Sequence, residues 1–112
     1  MERPERELVW LHGEVETPPF SKDAKVEAGV LLRRLQNGEK LSMPHSRPMP
    51  PIGTGCHELR IRDQNVIWRI FYFIDTDAIV LLDVTDKKTR ETPKRVLDNC
   101  KRRLKDYKAS RQ

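Results

Sequence analysis

The segment from Val66 to Ile74, VIWRIFYFI, constrains the fold more than any other part of the chain. β-branched and aromatic side chains dominate it, which predicts a β-strand. Successive side chains of a strand point to opposite faces, and both faces are largely apolar apart from Arg69, which shares its face with Phe71. A guanidinium keeps its proton, so Arg69 either pairs with a carboxylate, with Glu58 or Asp83 as possible partners, or faces a cleft that receives anions.

The segments on either side of this strand add cations to the face that carries Arg69. In the strand predicted for Cys56–Arg62, charged side chains alternate with apolar ones and share one face. A third strand, Ala78–Val84, is followed by a cationic turn. Five cations are therefore expected on one side of the sheet: Arg60, Arg62, Arg69, Lys87 and Lys88. Like charges gathered this closely are more easily explained by a polyanionic ligand than by folding, although a paired structural Arg69 is the simpler alternative.

The rest of the chain supplies one more strand and two helices. The apolar run in Glu7–His12 predicts a short first strand. Apolar residues recur at helical spacing over Lys22–Asn37, with Ser21 as the N-cap. A second amphipathic helix follows Thr92, which is expected to cap it, and Pro93, which suits the first helical position.

A long loop, 39–55, separates the first helix from the three central strands. It contains four prolines and two glycines and shows no periodic pattern. Loops of this length are usually functional or disordered. His45 and Arg47 lie in it and either lean over the cationic face or belong to a solvent-exposed connector.

These elements predict one α+β domain over residues 1–112 with the order β-α-β-β-β-α. We expect an antiparallel or mixed four-stranded sheet, with the helices packed on one face and cations on the other. Residues 1–6, which are polar and charged, are expected to be disordered.

The net charge of +5 is concentrated near one end of the chain. Residues 85–112 contain eleven Lys and Arg against four Asp and Glu, whereas residues 1–84 contain eleven against thirteen. This asymmetry indicates an anionic partner, although a solvated helix face explains it equally well.

No apolar run reaches the ~20 residues needed to cross a bilayer, and no signal peptide is evident, so we expect no membrane association and a cytoplasmic location.

Metal and cofactor chemistry are not expected from this sequence. The acidic residues are scattered over turns and termini without ligand-like spacing. Cys56 and Cys100 are far apart and form no CxxC pair, which indicates neither a disulfide framework nor a zinc site. Cys100 lies on the apolar stripe of the second helix and is expected to be buried.

Three segments in succession resemble a known family. The Pro-rich loop ending in GTGCHELRIRD, the strand WRIFYFID and the run IVLLDVTDKKTRETPKRVLDNCKRRLKDY are similar to the phage-derived branch of the RelE/HigB-like toxins of bacterial type II toxin-antitoxin systems. The likeness extends from Val9 to Tyr107. It implies a RelE-like fold, cleavage of mRNA on the ribosome, and neutralisation by a cognate antitoxin that often carries a helix-turn-helix domain.

The resemblance also implies a catalytic site, formed by Arg60, Arg69, Lys87 and Lys88. Arg69 is expected to stabilise charge on the phosphate with the help of Arg60. Either lysine is a candidate general base, because neighbouring cations disfavour its protonated form. Further RNA contacts are expected from Arg47, Arg62, Lys94 and Arg95.

Three residues, in two parts of the chain, depart from the pattern of the family. Thr85 and Asp86 stand where relatives often have an aromatic residue and glutamine, and a carboxylate there is expected to weaken phosphate binding. His57 is a possible acid or base, but its strand position places it away from the arginines, with Leu59 and Ile61.

Two other functions are compatible with this sequence. One is a non-catalytic inhibitor of a protein target, as ParE-like relatives are understood to be of gyrase. The other is a nucleic-acid-binding module without activity, which is expected to show steep salt dependence and no cleavage products. The grouping of the cations favours the nuclease.

Overall fold

The computed structural model describes residues 5–11, 19–87 and 90–111. They form a five-stranded sheet in the order β1-β5-β4-β3-β2, together with two helices. The elements are β1 Glu7–Trp10, α1 Lys22–Gln36, β2 Ser46–Pro48, β3 Cys56–Asp63, β4 Val66–Ile74, β5 Ala78–Asp86 and α2 Lys94–Ser110. The predicted α+β class is confirmed, and the sheet is mixed because β1 runs parallel to β5 while the other pairs are antiparallel.

The sheet has five strands instead of the four expected. The additional strand, β2, lies within the segment 39–55 that was predicted to be a structureless loop. Its three residues pair with β3, so that Arg47 lies opposite Glu58. The sequence Ser-Arg-Pro carries no strand signal, because proline is unfavourable in a sheet except at an edge, where β2 lies.

The two helices pack on opposite faces of the sheet, and the expectation that they share one face is wrong. The buried side of α1 packs against Leu59 and Ile70 among others. The buried side of α2 packs against Phe71 and Val80 among others. Because Ile70 and Phe71 are neighbours on one strand, their side chains point to opposite faces.

The N-termini of the two helices are capped differently. Ser21 caps α1 as predicted, and its hydroxyl accepts a hydrogen bond from the Ala24 amide at 3.2 Å. Asp63, at the end of β3, joins this cap to the sheet by accepting hydrogen bonds from the Ser21 amide and the Trp68 indole. Pro93 precedes α2, which has no side-chain cap, so the predicted capping role of Thr92 is wrong.

Arg6, in the segment that was expected to be disordered, is hydrogen-bonded to the end of α1. Residues 1–4 of the segment expected to be disordered lie outside the described residues, whereas the Arg6 amide donates to the Gln36 carbonyl at 2.9 Å. Cys56 and Cys100 are free and buried, as predicted for Cys100, and burial raises the pKa of Cys100 to about 12. Neither of the two helices is long and apolar enough to cross a membrane.

Candidate functional site

Three arginines on adjacent strands surround the carboxylate of Glu58, which is fully buried. Arg69 Nε donates to Glu58 Oε2 at 2.7 Å, and Arg69 Nη2 donates to the same oxygen. Arg47 Nη2 lies 3.4 Å from Oε2, and Arg60 Nε lies 3.1 Å from Oε1. We refer to Glu58 with Arg47, Arg60 and Arg69 as the arginine cluster. Three guanidinium groups and one carboxylate leave it with two positive charges.

Strand pairing explains why these side chains meet. Arg60 lies directly opposite Arg69 across β3 and β4, and Arg47 lies opposite Glu58 across β2 and β3. Opposite residues of paired strands share a face, and residues two apart on one strand do so as well. The cluster is therefore built by the register of three strands, on the face that α2 covers elsewhere.

Of the two carboxylates considered as partners for Arg69, Glu58 is the one that pairs with it. Asp83 pairs instead with Arg103 of α2, whose Nη1 lies 3.3 Å from its carboxylate. A buried carboxylate and a buried guanidinium each compensate the desolvation of the other, which a single buried ion cannot achieve.

The arginines of the cluster differ in their access to solvent. The Arg69 side chain is 1% exposed, whereas those of Arg60 and Arg47 are 22% and 38% exposed. A bound anion can therefore contact Arg60 and Arg47 directly. Arg69, which was expected to stabilise a phosphate, contacts Glu58 and acts on the exposed surface only through it or through its charge.

The segment before α2 contributes a contact that sequence reasoning missed. Arg69 Nη2 donates a hydrogen bond to Thr92 Oγ1, just before the helix. The Arg69 guanidinium carbon also lies 5.1 Å from the centre of the Phe71 ring, a cation–π arrangement. Thr92 was predicted to be a helix cap because Thr-Pro before an amphipathic run is typical of one, and no local pattern reveals that its hydroxyl faces β4.

Lys87 lies beside the arginine cluster, immediately after β5. Its amide donates to the Ile67 carbonyl at 2.7 Å, which extends the pairing of β5 with β4 by one residue. The pKa of Lys87 is lowered, first by partial burial of the ammonium and then by the positive charges of Arg60 and Arg69. The crowding of cations expected from the sequence is present, although desolvation is the larger cause. Lys88, the second candidate base, lies outside the described residues.

Of the three residues that depart from the family pattern, Asp86 and His57 point away from the arginine cluster, whereas Thr85 lies on its face. Asp86 is opposite Trp68, and Thr85 is opposite Arg69. Asp86 therefore points to the face of α1, away from the arginine cluster. His57 stacks on Tyr72 at 5.4 Å on that same face, and burial lowers its pKa. The predicted separation of His57 from the arginines is confirmed.

The remaining predicted RNA-binding residues lie around the cluster. Arg62 is exposed on β3, where it lines a cleft that also includes Arg60 and His45. Lys94 and Arg95 are exposed in the first turn of α2, two and three residues beyond Thr92. Within the described parts of the chain, no group of three or more His, Cys, Asp or Glu side chains is placed to hold a metal ion.

Comparison with known proteins assigns the chain to a family. No curated protein matches the sequence. The sequence model of the family described as phage-derived protein Gp49-like matches residues 18–105, a range that includes the arginine cluster, Lys87 and most of both helical layers. This family is associated with the toxins of toxin-antitoxin systems. Because the match covers most of the sequence, the chain belongs to the Gp49-like family of phage-derived proteins.

Proposed function

We propose that this protein is the toxin of a type II toxin-antitoxin system and that it cleaves mRNA on the ribosome without a metal ion. The family association supports the toxin role. The observation that carries the nuclease is the position of Lys87, a lysine with a lowered pKa beside two accessible guanidinium groups.

RNA cleavage by this route needs a base, an acid and positive charge. The 2′-oxygen forms a bond to phosphorus, the bond from phosphorus to the 5′-oxygen breaks, and a cyclic phosphate and a 5′-hydroxyl result. The neutral amine of Lys87 accepts the proton of the 2′-hydroxyl at Nζ. Arg60 and Arg47 contact the non-bridging oxygens and stabilise the charge that develops on them. A proton reaches the leaving oxygen from Lys87 once it is protonated, or from Lys88.

Arg69 has a positioning role in this mechanism. Its two hydrogen bonds fix the Glu58 carboxylate, which in turn lies against Arg60 and Arg47. Groups that stabilise a transition state work best when their neighbours already hold them in place. Arg62, Lys94 and Arg95, which are exposed, contribute further contacts to the RNA.

The proposed partners are the ribosome, mRNA and a cognate antitoxin, which we expect to be a helix-turn-helix protein. The cluster carries two net positive charges at a partly exposed surface. An acidic segment of the antitoxin that covers this surface is complementary to it and blocks access of RNA.

The test uses methionine substitutions that remove a charge and keep the length of the side chain. Wild type, Lys87→Met and Arg60→Met are induced in cells at matched protein levels, with growth and mRNA 5′ ends followed together. Lys25→Met is the control, because Lys25 is an exposed lysine of α1 on the other face of the sheet. We expect wild type and the control to arrest growth and create new 5′ ends within translated frames, and the two cluster variants to do neither.

Thermal melts of the purified variants separate loss of activity from loss of folding. Growth arrest with intact mRNA refutes the nuclease and indicates a protein target such as gyrase. Absence of arrest by wild type refutes the toxin role and leaves a binding module.

A further inference from the structure

A cleft of about 440 Å³ adjoins the arginine cluster and shares Arg60 with it. It lies where the outer edge of β3 passes beyond β2 and meets α1. The Arg60 amide donates to the His45 carbonyl at 2.8 Å, which holds the preceding loop at one end of the cleft. The lining residues are Glu27, Pro44, His45, Arg60, Arg62 and Ile67.

The walls of this cleft suit a nucleobase. Pro44 and Ile67 provide apolar surface, and His45 and Arg62 provide planar groups of the kind on which splayed RNA bases stack. The volume falls in the range of pockets that hold small ligands, 300 to 1,000 Å³ by order of magnitude, so roughly one nucleoside can be accommodated. Because Arg60 belongs to both sites, a phosphate held by the cluster places its neighbouring nucleotide at the cleft.

Glu27 is the acidic side chain of this cleft. It is the one carboxylate among the described lining residues and lies half-buried on α1, whereas two of the other lining residues are arginines of β3. Within residues 5–11, 19–87 and 90–111 its carboxylate makes no hydrogen bond or ion pair. An ionised carboxylate only accepts hydrogen bonds, so its natural partner is a donor on the ligand.

We propose that this cleft binds the base of a nucleotide next to the scissile phosphate and that Glu27 selects bases with an amino group. Adenine, cytosine and guanine each offer an amino donor to a carboxylate, as cytosine does to Glu and Asp in known interfaces. Uracil presents carbonyl oxygens on both sides of its single N–H, and these repel a carboxylate. The inference rests on the proposed nuclease function and adds a base preference to it.

The test compares wild type with Glu27→Gln. A glutamine amide both donates and accepts, so it accommodates uracil at no loss of volume. The control is Glu7→Gln, the same change of charge on β1, at the opposite edge of the sheet. Bases flanking the cleavage positions are counted in mapped 5′ ends, and the affinity for RNA hexamers of A, C or U is measured by fluorescence anisotropy.

We expect uracil to be depleted at one flanking position in wild type and the control, and its share relative to the other bases to rise about tenfold in Glu27→Gln. Cleavage with the same base preference in all three proteins overturns the inference and leaves the nuclease intact. If wild type does not cleave RNA, the proposed function fails and the hexamers decide. A preference against U that Glu27→Gln abolishes supports the cleft, whereas equal affinities for A, C and U overturn it.

Discussion

At the scale of single residues, Glu58 supplies the negative charge that holds the arginine cluster together. Its buried carboxylate contacts Arg47, Arg60 and Arg69 together. Without it, three guanidinium groups on neighbouring strands face each other with no counter-charge. The carboxylate neutralises one of the three positive charges and so allows the three guanidinium groups to lie close together. The two remaining positive charges are available to bind an anion.

Removal of Arg69 is predicted to destabilise the fold. Arg69→Ala leaves Glu58 buried without its closest partner, and breaking a buried pair in this way costs about 3–5 kcal/mol. The double variant Glu58→Leu/Arg69→Met replaces both charges with apolar groups and is expected to recover most of the free energy of unfolding. Urea denaturation measures both effects.

Arg47→Ala is the matched comparison, because the Arg47 side chain is 38% exposed and its contact with Glu58 is long. Its effect is expected to stay below about 1 kcal/mol. Equal stability of Arg69→Ala and wild type contradicts the structural role of the pair. Loss of toxicity in Arg69→Ala alone is therefore no measure of catalysis.

Lys87 makes a prediction about pH. If its neutral amine is the base, the rate of RNA cleavage rises with pH and levels off at the pKa of Lys87, below the ordinary lysine value of 10.5. Removal of a neighbouring positive charge favours the protonated form of the Lys87 amine, so Arg60→Met is expected to raise this pKa. The chemical shift of the Lys87 Cε, followed by NMR, reports the pKa independently of activity. A Lys87 that titrates at or above the ordinary value refutes its role as base.

At the scale of elements, α2 is fixed to the sheet at both ends. Thr92 contacts Arg69 before its first turn, and the Tyr107 hydroxyl donates to Asp75 Oδ2 at 2.9 Å near its last turn. Partial burial and the hydrogen bond with Asp75 raise the pKa of Tyr107 to about 12. The backbone amide of Thr76 is the first cause that lowers the pKa of Asp75, and Tyr107 also lowers it.

Tyr107→Phe is predicted to cost about 1 kcal/mol at neutral pH, because one hydrogen bond to a carboxylate is removed. The lowered pKa of Asp75 means that its stabilisation is present above the pKa of the unfolded chain and disappears as pH falls through the folded pKa. The difference between variant and wild type should therefore shrink in acid. Urea midpoints at neutral and acidic pH measure it, and a difference that is constant with pH contradicts the assignment to Asp75.

Sequence patterns predicted most elements, since each has its own local signal. Ser21 before an amphipathic run indicated α1, the β-branched and aromatic residues around Arg69 indicated β4, and the alternation in β3 indicated a charged face. β2 was missed because its pairing depends on contacts with β3. The placement of the helices on opposite faces was missed because periodicity shows which residues share a face, and not which helix covers it. The apolar side chains of Ile70 and Phe71, on both faces of β4, were the available signal.

The candidate site was predicted in part. Alternation within β3 placed Glu58 and Arg60 on one face, and the structure joins them to Arg69. The depth of Arg69 and the contact of Thr92 depend on tertiary packing, which no spacing in the sequence encodes. The cleft at Glu27 brings together residues from α1, a loop and the sheet, so it becomes visible only in three dimensions.

At the scale of the whole molecule, positive charge lies on two surfaces. One is the arginine cluster, and the other is the outer side of α2, where Lys101, Lys105 and Lys108 line a shallow depression. A binding partner as extended as ribosomal RNA can contact both at once. Such contacts release counterions, and the affinity falls steeply with salt.

Reversal of charge on α2 is predicted to weaken binding to ribosomes. Lys101→Glu/Lys105→Glu removes two cations from exposed positions of the helix. The slope of log affinity against log salt is expected to fall by roughly two, one for each phosphate that the variant no longer neutralises. Co-sedimentation with ribosomes over a range of salt measures it, with Lys22→Glu/Lys25→Glu on α1 as the control. An equal effect in both variants indicates that net charge alone is responsible.

The contact of Thr92 with Arg69 also bears on how the protein is made. Thr92 follows all five strands in chain order, so the sheet emerges during synthesis before Arg69 can acquire this partner. In a nascent chain, the cations of β3 and β4 are therefore present before Thr92 and α2 are in place. The proposed antitoxin therefore has an interval, before the last helix docks, in which it can bind ahead of a complete site.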